Sequence, residues 1–431
     1  MLKVNIKTIG CKVNQYESEA MAELFRQRGF SIVDGEIADI CIVNTCTVTH
    51  LSSRKSRQFL SKAKRDNPNC IVAAVGCYSQ ISPEEIKALG GIDILLGTAD
   101  RDRIVELCLQ ELEQRGGAQI LTEAKHHRDF ENLSVSENAE RTRAYIKVQE
   151  GCNRYCSYCI IPYARGPIRS RQSAAALEEA ERLAQNGYRE VVLTGIHLAS
   201  YGLDQKDPEA LLDLIERMGE IPGIQRIRLG SLEPGFINPE RLHRLSQVPA
   251  FCDHFHLSLQ SGSDTVLIRM NRKYSSSEYR EKVGLIRSVF PHAGITTDII
   301  VGFPGETDDE FEQTCQFVKE IGFSRVHIFK YSPREGTPAA DYPNQIQPEI
   351  KSLRSDKLQE IADETQQIAH RAMLEQILPV LLEEGDQGRL HGYATNYMRV
   401  EVQCPETAPG DIVRVRIVDV TKDSLKGICI A

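Results

Sequence analysis

Short apolar runs alternate with longer amphipathic runs over the first 113 residues of the chain. The apolar runs fit strands, and the amphipathic runs between them fit helices. Strands are predicted at 3–9, 39–44, 71–76 and 92–97, and helices near 15–28, 52–65 and 102–113. Alternation of this kind predicts a parallel sheet covered by helices on its faces. The spacing is that of a small doubly wound, flavodoxin-like domain in an α/β protein.

A second alternating series follows a polar stretch at 123–142. It predicts six strands, each followed by a helix, at 144–149, 189–194, 225–229, 254–259, 295–301 and 325–330. Six βα units predict a partial (βα)6 barrel of the TIM type, with its active site on the loops at the carboxyl ends of the strands.

The end of the chain changes pattern again. A connector helix is predicted at 346–376, and five short β-rich runs follow at 378–384, 389–395, 397–403, 411–418 and 424–430. Five short strands predict a small barrel of OB type, a scaffold that often binds oligonucleotides. The predicted domains are therefore an N-terminal domain at 1–122, a linker at 123–142 with His126 and His127 exposed, a barrel with its connector at 143–376, and a small β-barrel at 377–431.

Composition restricts the class of protein. The chain has 431 residues, a formal net charge of −8 and 13 cysteines. Cysteines clustered near glycines and strand ends in so long a chain indicate metal in a reducing compartment rather than a disulfide scaffold. No signal peptide and no membrane-spanning run is identified, so a cytoplasmic protein is predicted. The acidic balance argues against a generally basic nucleic-acid binder, so RNA contacts must come from local patches.

Three cysteines lie close together directly after the first strand of the predicted barrel. Cys152, Cys156 and Cys159 have C-x3-C-x2-C spacing, with the aromatic Tyr158 just before the last of them. A closed structural zinc site would need four ligands. Three thiolates instead suit a 4Fe–4S cluster with one iron open to another ligand. The alternative is a set of three buried or zinc-bound cysteines.

Three more cysteines each follow a predicted strand of the N-terminal sheet. They are Cys11, Cys46 and Cys77. The carboxyl ends of parallel strands share one edge of the sheet, where ligands bind, so these cysteines are expected to meet in space. That geometry predicts a second cluster with three protein ligands. Taken alone, the three could equally be structural.

The spacing around Cys152 resembles the signature of radical S-adenosylmethionine (SAM) enzymes. Together, the two three-cysteine sites resemble the methylthiotransferase family over nearly the whole chain. The sequence Gly10-Cys11-Lys12-Val13-Asn14-Gln15-Tyr16-Glu17 is similar to the branch that acts on N6-threonylcarbamoyladenosine in tRNA. The sequence Gly392-Tyr393-Ala394-Thr395-Asn396-Tyr397 is similar to the hallmark of the TRAM domain that closes this family.

The resemblance implies a reaction. Two 4Fe–4S clusters and SAM would be the cofactors, and the product would carry a methylthio group at C2 of the modified adenosine at position 37, beside the anticodon. The Cys152 loop would hold the cluster that cleaves SAM, and Cys11, Cys46 and Cys77 would hold the cluster that supplies sulfur. The implied partners are the tRNA anticodon loop, an external one-electron reductant and a sulfur donor.

The ends of the later barrel strands supply candidates for the SAM pocket. By resemblance, these candidates join Tyr158 as cofactor-binding residues, and for each of them a turn or packing role is an equal alternative. They are Gly195, Glu233, Gln260, Asp298 and Gly302. A basic segment at Met270 to Tyr274 is similar to the family and is expected to face the substrate or the SAM carboxylate.

Candidate RNA contacts come from basic and aromatic residues near the cluster edges. The stretch 54–65 carries six positive charges and no negative one. Basic side chains of this kind provide affinity for phosphate without reading sequence, and a solvated helix face is the alternative. The candidates are Arg54 and Arg57 in this stretch, Arg165, Arg169 and Arg171 after Cys159, and Tyr397 and Arg399 in the last domain.

Other functions remain open at this stage. The same family includes a branch acting on isopentenyladenosine in tRNA and a branch acting on a ribosomal protein. A non-enzymatic iron–sulfur protein that binds RNA or transfers electrons is a third possibility.

Overall fold

The N-terminal part of the protein is a parallel sheet flanked by helices. The structure is a computed structural model that describes residues 1–35, 37–135, 142–386, 389–404 and 407–430. The strands of this part are β1 (Lys3–Thr8), β2 (Ser31–Ile32), β3 (Ile40–Thr45), β4 (Ile71–Gly76), β5 (Ile94–Leu96) and β6 (Ala118–Ile120). Its helices are α1 (Lys12–Gln27), α2 (His50–Asp66), α3 (Cys77–Ile81), α4 (Pro83–Lys87) and α5 (Ile104–Glu113).

The strand order β2-β1-β3-β4-β5-β6, with all strands parallel, confirms the flavodoxin-like prediction. The central strands β3 and β4 are almost wholly buried because helices cover both of their faces. The sequence pattern missed β2 and β6, which are short edge strands without buried residues. The order reverses between β1 and β3, which is where ligands bind in such sheets.

The middle of the chain forms the predicted incomplete barrel. Its strands are β7 (Arg143–Glu150), β8 (Arg169–Ser170), β9 (Glu190–Gly195), β10 (Arg226–Leu229), β11 (His254–His256), β12 (Gly294–Val301) and β13 (Arg325–Lys330). Its helices are α6 (Ile161–Arg165), α7 (Ser173–Gln185), α8 (Ala210–Gly219), α9 (Pro239–Ser246), α10 (Asp264–Arg269), α11 (Ser276–Val289), α12 (Asp308–Ile321) and α13 (Pro348–Arg371).

Six of these strands run parallel in chain order. The sheets β10-β9-β7 and β11-β12-β13 are joined by parallel bridges from Ile227 to Phe251 and from Leu232 to Leu257. The two-residue β8, which was not predicted, pairs antiparallel with β7 at the open edge. Apolar side chains of strands and helices form one continuous core between the barrel and its helices.

The last part of the chain is a closed five-stranded barrel. Its strands are β14 (Ile377–Asp386), β15 (Arg389–Ala394), β16 (Arg399–Gln403), β17 (Ile412–Val420) and β18 (Leu425–Cys429), in the order β14-β15-β16-β18-β17. The prediction of five strands is confirmed, although β16 starts later than predicted because a turn precedes it. A disulfide that the sequence did not predict joins Cys404 to Cys429.

The three parts pack directly on one another. Helix α1 lies against β7 and β9 at the open side of the incomplete barrel, where Glu17 accepts a bond of 3.0 Å from Lys147. The turn before β16 packs on the amino-terminal ends of the barrel strands. A Cβ on Gly294 would lie 2.0 Å from the carbonyl oxygen of Asn396, so this contact needs glycine.

The predicted linker at 123–142 is packed against the protein where it is described, and residues 136–141 lie outside the described residues. Glu131 pairs with Arg101, and the carbonyl of Leu133 accepts a bond of 2.7 Å from Tyr16. His126 is exposed, as expected, but the expectation for His127 is wrong because this side chain is buried. Within the described ranges, no helix is long and apolar enough to cross a bilayer.

Candidate active site

The loop after β7 carries Cys152, Cys156 and Cys159 at the carboxyl end of the barrel. Gly151 begins the loop with a φ of +72°, and a Cβ at this position would lie 1.9 Å from a backbone carbonyl oxygen. Only glycine fits such a backbone approach. The amide of Cys152 donates to the carbonyl of Gly166, and that of Cys159 to the carbonyl of Cys156, at 3.0 and 2.9 Å. The loop is thereby folded back on itself.

The chemistry of these three thiols fits a cluster. Burial raises the pKa of Cys152 to about 11 and that of Cys159 to about 12, and the neighbouring Cys156 adds to both increases. Thiolates grouped in this way need a cationic centre, and metal binding supplies it. Among the described residues, no group of three or more His, Cys, Asp or Glu side chains closes around a single ion. An iron–sulfur cluster spreads its thiolates over several irons.

A charged group stands beside this loop. Arg272 donates to the Sγ of Cys156 at 3.3 Å and pairs with Glu233 at 3.4 Å. Glu233 also pairs with Arg154 at 2.7 Å and with His197 at 3.1 Å. Burial opposes ionisation of Glu233, but the bond with His197 and the charges of His197, Arg272 and Arg154 lower its pKa to about 2. Glu233 is therefore an anion that orients cations around the loop.

A cavity of about 240 Å³ lies between the barrel and the N-terminal sheet. Its N-terminal wall includes Val48 and Thr49, which follow Cys46 closely in the chain. Its barrel wall includes Tyr158, Cys159, Gln260, Asp298, Ile300 and Tyr331. A larger cavity of about 670 Å³, lined by Tyr155 and Asn271 among others, contains none of the six candidate cysteines. The smaller cavity is therefore the candidate site for the chemistry.

The six residues predicted for the SAM pocket fall into three groups. Tyr158, Gln260 and Asp298 line the smaller cavity together with Cys159. Glu233 reaches the cysteine loop through Arg154, which lies in the loop, and through Arg272. The two glycines have packing explanations, because a Cβ on Gly195 would lie 2.8 Å from the Cβ of Gln149 and one on Gly302 would lie 2.4 Å from the Cγ of Lys351.

Gln260 has an unusual backbone at the cavity wall. Its φ is +74°, in the left-handed region that residues other than glycine seldom adopt. Its amide donates to the carbonyl of Asp298, and its own carbonyl accepts from the amide of Ile300, both at 2.9 Å. Two bonds to β12 thus hold a strained residue in place, as is common at functional sites.

The interior of the barrel is polar. His256 bonds to Asp298 at 3.2 Å and to Thr296 at 2.9 Å, and Thr296 also meets His254 at 2.9 Å. Burial opposes ionisation of Asp298, but the bond from His256 and the charges of His256, His327 and Lys12 lower its pKa overall. Asp298 therefore links this interior to the cavity that it lines.

The second set of cysteines lies at the carboxyl edge of the N-terminal sheet. Cys11 follows β1, Cys46 follows β3, and Cys77 begins α3 after β4. A Cβ on Gly10 would lie 3.1 Å from the Sγ of Cys46. Burial raises the pKa of Cys77 to about 12, an increase that Arg165 opposes and that Cys46 and Cys11 strengthen. The three thiols are therefore neighbours, and this donor set also fits a cluster.

Arg165 connects the two cysteine sites. It ends α6, which follows Cys159 in the chain, and its Nε donates to the Sγ of Cys77 at 3.2 Å. Its other nitrogens donate to Glu17 at 2.7 Å, to Glu150 at 2.8 Å and to Asn14 at 2.8 Å. This ion network is completely buried, and Lys147 and Arg101 complete it.

The predicted RNA contacts of three arginines do not fit the structure, because Arg165, Arg169 and Arg171 are all buried. Arg165 belongs to the network described above, and Arg169 donates to the carbonyl of Arg165 at 3.0 Å. Arg171 pairs with Glu179. Three arginines in one short segment suggested a phosphate site, but the sequence did not show that they are buried or that Arg165 pairs with Glu17, 148 positions away.

The basic stretch at 54–65 is helix α2. Its first residues stand beside the cavity, because Thr49 caps the helix and His50 donates to Ser332, another cavity residue, at 3.3 Å. Arg54 is exposed, whereas Arg57 donates to Tyr78 at 2.6 Å and to Glu85 at 3.3 Å. Arg54 is therefore the more suitable of the two for phosphate contact.

The two candidates in the last domain also differ. The ring of Tyr397 is packed among cations, with Arg228 at 4.7 Å and Arg143 at 5.3 Å from its centre, and it stacks on Tyr393 at 5.0 Å. Stacking of an RNA base on Tyr397 does not fit this position. Arg399 is exposed on β16 and stays a candidate.

Sequence reasoning missed several residues at the site. Arg154, His197 and Lys12 received no role, although His197 stands in a loop at the carboxyl end of a barrel strand, which was a usable signal. Arg334 lies near Cys46 and bonds to Ser53 at 3.4 Å, which no sequence feature indicated.

The barrel, its three-cysteine loop and the adjoining cavity define a radical SAM enzyme, and comparisons with known proteins agree. Residues 146–318 match the model of the radical SAM superfamily, 3–97 that of uncharacterized protein family UPF0004, and 371–430 that of the TRAM domain. The radical SAM methyltransferase TsrM of Kitasatospora setae superposes with a TM-score of 0.58 at 16% identity, over 79% of this chain and 75% of that one. This similarity shows the shared fold.

Curated relatives match nearly the full length. The threonylcarbamoyladenosine tRNA methylthiotransferase MtaB of Bacillus subtilis is 40% identical over 97% of this chain and 94% of its own. The protein of that name from Thermotoga maritima is 38% identical over 93% and 91%. The tRNA-2-methylthio-N(6)-dimethylallyladenosine synthase of Alkaliphilus oremlandii is 34% identical over 99% and 92%. The chain belongs to the radical SAM tRNA methylthiotransferase family.

Proposed function

We propose that this protein adds a methylthio group to C2 of N6-threonylcarbamoyladenosine at position 37 of tRNA, using SAM and two 4Fe–4S clusters. The observation that carries the proposal is the cavity shared by Cys159 and the segment after Cys46. Among the relatives described above, identity is higher to the two that act on threonylcarbamoyladenosine than to the one that acts on the dimethylallyl nucleoside.

The proposed roles of the two clusters follow from the cysteines that would hold each of them. Cys152, Cys156 and Cys159 would hold one cluster with an open iron, and Cys11, Cys46 and Cys77 the other. When bound, the first cluster supplies the electron that cleaves SAM, and the second supplies the sulfur. An external one-electron reductant and a sulfur donor are therefore required partners, and the cytoplasm, where tRNA is modified, is the proposed site of reaction.

The residues of the chain would orient the reactants and exclude water. Tyr158, Gln260 and Asp298 form the wall against which SAM and the base would lie. Arg272 bonds to the Sγ of Cys156 and pairs with Glu233, so it fixes one ligand while its charge stays balanced. A stacked anticodon base cannot enter such a cavity, so the nucleotide at position 37 must turn outwards from the loop.

The test is the nucleoside content of tRNA from cells with and without this gene. We expect loss of the methylthio-threonylcarbamoyl nucleoside and accumulation of its precursor without the methylthio group, measured by mass spectrometry. Re-expression of the wild-type gene should restore the product. Selective loss of the methylthio-isopentenyl nucleoside would overturn the substrate assignment, and unchanged tRNA would overturn the function.

Helix α2 provides a separate test of tRNA contact. We expect Arg54→Ala to weaken tRNA binding and to lower the slope of log affinity against log salt by about 0.7–0.9, the loss for one phosphate contact. Arg57→Ala is the matched control, because Arg57 already bonds to Glu85 and Tyr78 and should leave the slope unchanged. Equal slopes for Arg54→Ala and the wild type would contradict the contact.

A further inference from the structure

Lys12 stands at the first position of α1, directly after Cys11, and α1 packs against the barrel strands β7 and β9. Its Nζ lies 5.9 Å from the centre of the Tyr397 ring. Its charge interacts with one side chain from each of the six parallel strands: Arg143, Glu190, Arg228, His254, Asp298 and His327. The Tyr397 ring is also contacted by Arg143, Arg228 and His254, from three of these strands, so Lys12 lies inside the barrel.

In the part of the chain that the structure describes, no carboxylate forms an ion pair with the ammonium of Lys12. Its Nζ makes no hydrogen bond or ion pair with any described residue and lies over the Tyr397 ring. The nearby acids have other partners: Glu190 pairs with Arg226 and Arg228 at 2.8 Å each, and Asp298 pairs with His256 at 3.2 Å. A largely enclosed cation without a partner is costly, so an anion from outside is expected to complete the site.

The relatives indicate what that anion is. One kind of relative acts on threonylcarbamoyladenosine, whose N6 substituent ends in a carboxylate, and another on dimethylallyladenosine, whose substituent is a hydrocarbon. Both kinds match nearly this whole chain, so one scaffold accepts either substituent. A buried charge in the binding site discriminates strongly between such substrates, because a substrate without a carboxylate leaves that charge unpaired.

We propose that Lys12 binds the carboxylate of the threonylcarbamoyl group and thereby selects this nucleoside. The proposal rests on the proposed function and adds the residue that determines specificity. The charge of Lys12 acts on Asp298, which lines the cavity together with Cys159. Lys12 itself directly follows Cys11 in the chain. A substituent held at Lys12 thus keeps the adenine between the two cysteine sites.

A purely structural role for Lys12 would be to dock the last domain through Tyr397. Arg143 provides the matched control, because its guanidinium also faces the Tyr397 ring, at 5.3 Å, but pairs with Glu383 at 2.7 Å. Loss of Arg143 should disturb docking without changing the choice between substrates. Loss of Lys12 should change that choice.

The experiment compares two RNAs with the cluster-loaded protein. One is tRNA carrying threonylcarbamoyladenosine, and the other is the same tRNA with unmodified adenosine. We expect wild type to bind the first roughly 10- to 100-fold more tightly, the effect of one charge-assisted pair. Lys12→Met should abolish this preference, Lys12→Arg should keep part of it, and Arg143→Met should keep it fully. An unchanged preference in Lys12→Met would overturn the proposal.

A second measurement needs no variant. The free threonylcarbamoyl nucleoside should compete for wild-type protein at least about tenfold better than its carboxylate methyl ester, which has lost the charge. Equal competition would overturn the assignment of Lys12. Failure of the proposed function has a different result: wild-type protein would then convert neither RNA, whatever its binding preference.

Discussion

Replacement of Cys156 by alanine is expected to abolish the cleavage of SAM by the reduced protein. The loop would keep only two thiolates, and the open-iron arrangement needs three protein ligands. The substitution also removes the sulfur to which Arg272 donates at 3.3 Å. The measurement is 5′-deoxyadenosine formation, together with the iron content of the reconstituted protein. The same loss is expected for Cys152→Ala and Cys159→Ala.

Two controls separate this effect from general damage. Cys315→Ala changes a buried cysteine in α12, away from both sites, and should leave cleavage intact. Cys46→Ala should still cleave SAM but form no methylthio product, because it damages the other site. SAM cleavage by Cys156→Ala would refute the first cluster, and full methylthiolation by Cys46→Ala would refute the second.

Replacement of Arg165 by methionine is expected to lower the free energy of unfolding by about 3–5 kcal/mol, the usual cost of removing one partner from a buried ion pair. Glu17 and Glu150 are completely buried and would lose one of the three cations that pair with both of them, the others being Lys147 and Arg101. Cys77 would lose its hydrogen bond from the Nε of Arg165. Urea unfolding followed by circular dichroism measures the change.

The comparison variants for Arg165 test the physical cause. Arg280→Met breaks an ion pair with Glu320 in which both side chains are over 40% exposed, and such pairs contribute at most about 1 kcal/mol. Arg165→Lys keeps the charge but cannot make the same set of bonds, so an intermediate loss is expected. A loss for Arg165→Met no larger than that for Arg280→Met would show that the buried network contributes little.

Local patterns were sufficient to predict the architecture and to group the candidate cysteines into two sets. Cys152, Cys156 and Cys159 are close in sequence, so their spacing carries the signal by itself. Cys11, Cys46 and Cys77 are far apart, but each follows a strand, and parallel strands bring their carboxyl ends to one edge. The short strands β2, β6 and β8 were missed because each lies at the edge of its sheet and has no buried apolar run.

The contacts between domains could not be predicted in this way. Arg165 looked like a phosphate ligand because its partner Glu17 lies 148 positions away. Tyr397 looked free for base stacking because the sequence does not show that Arg228 and Arg143 enclose it. Lys12 received no role for the same reason: its surroundings come from six strands spread over the barrel. The contacts of such residues form only when the domains pack together, so the local sequence does not reveal their roles.

The close approach of Asn396 to Gly294 has a consequence for any attempt to shorten the protein. The turn that carries Asn396 lies over the start of β12, and the adjoining carbonyls of Tyr393 and Thr395 accept bonds of 2.9 and 2.7 Å from Arg226 and Arg228. The last domain therefore closes the amino-terminal end of the barrel and is also a candidate RNA-binding module. A chain truncated near residue 376 would leave the amino-terminal end of the barrel open to water. This water could reach reactive intermediates even if tRNA binding were supplied by other means.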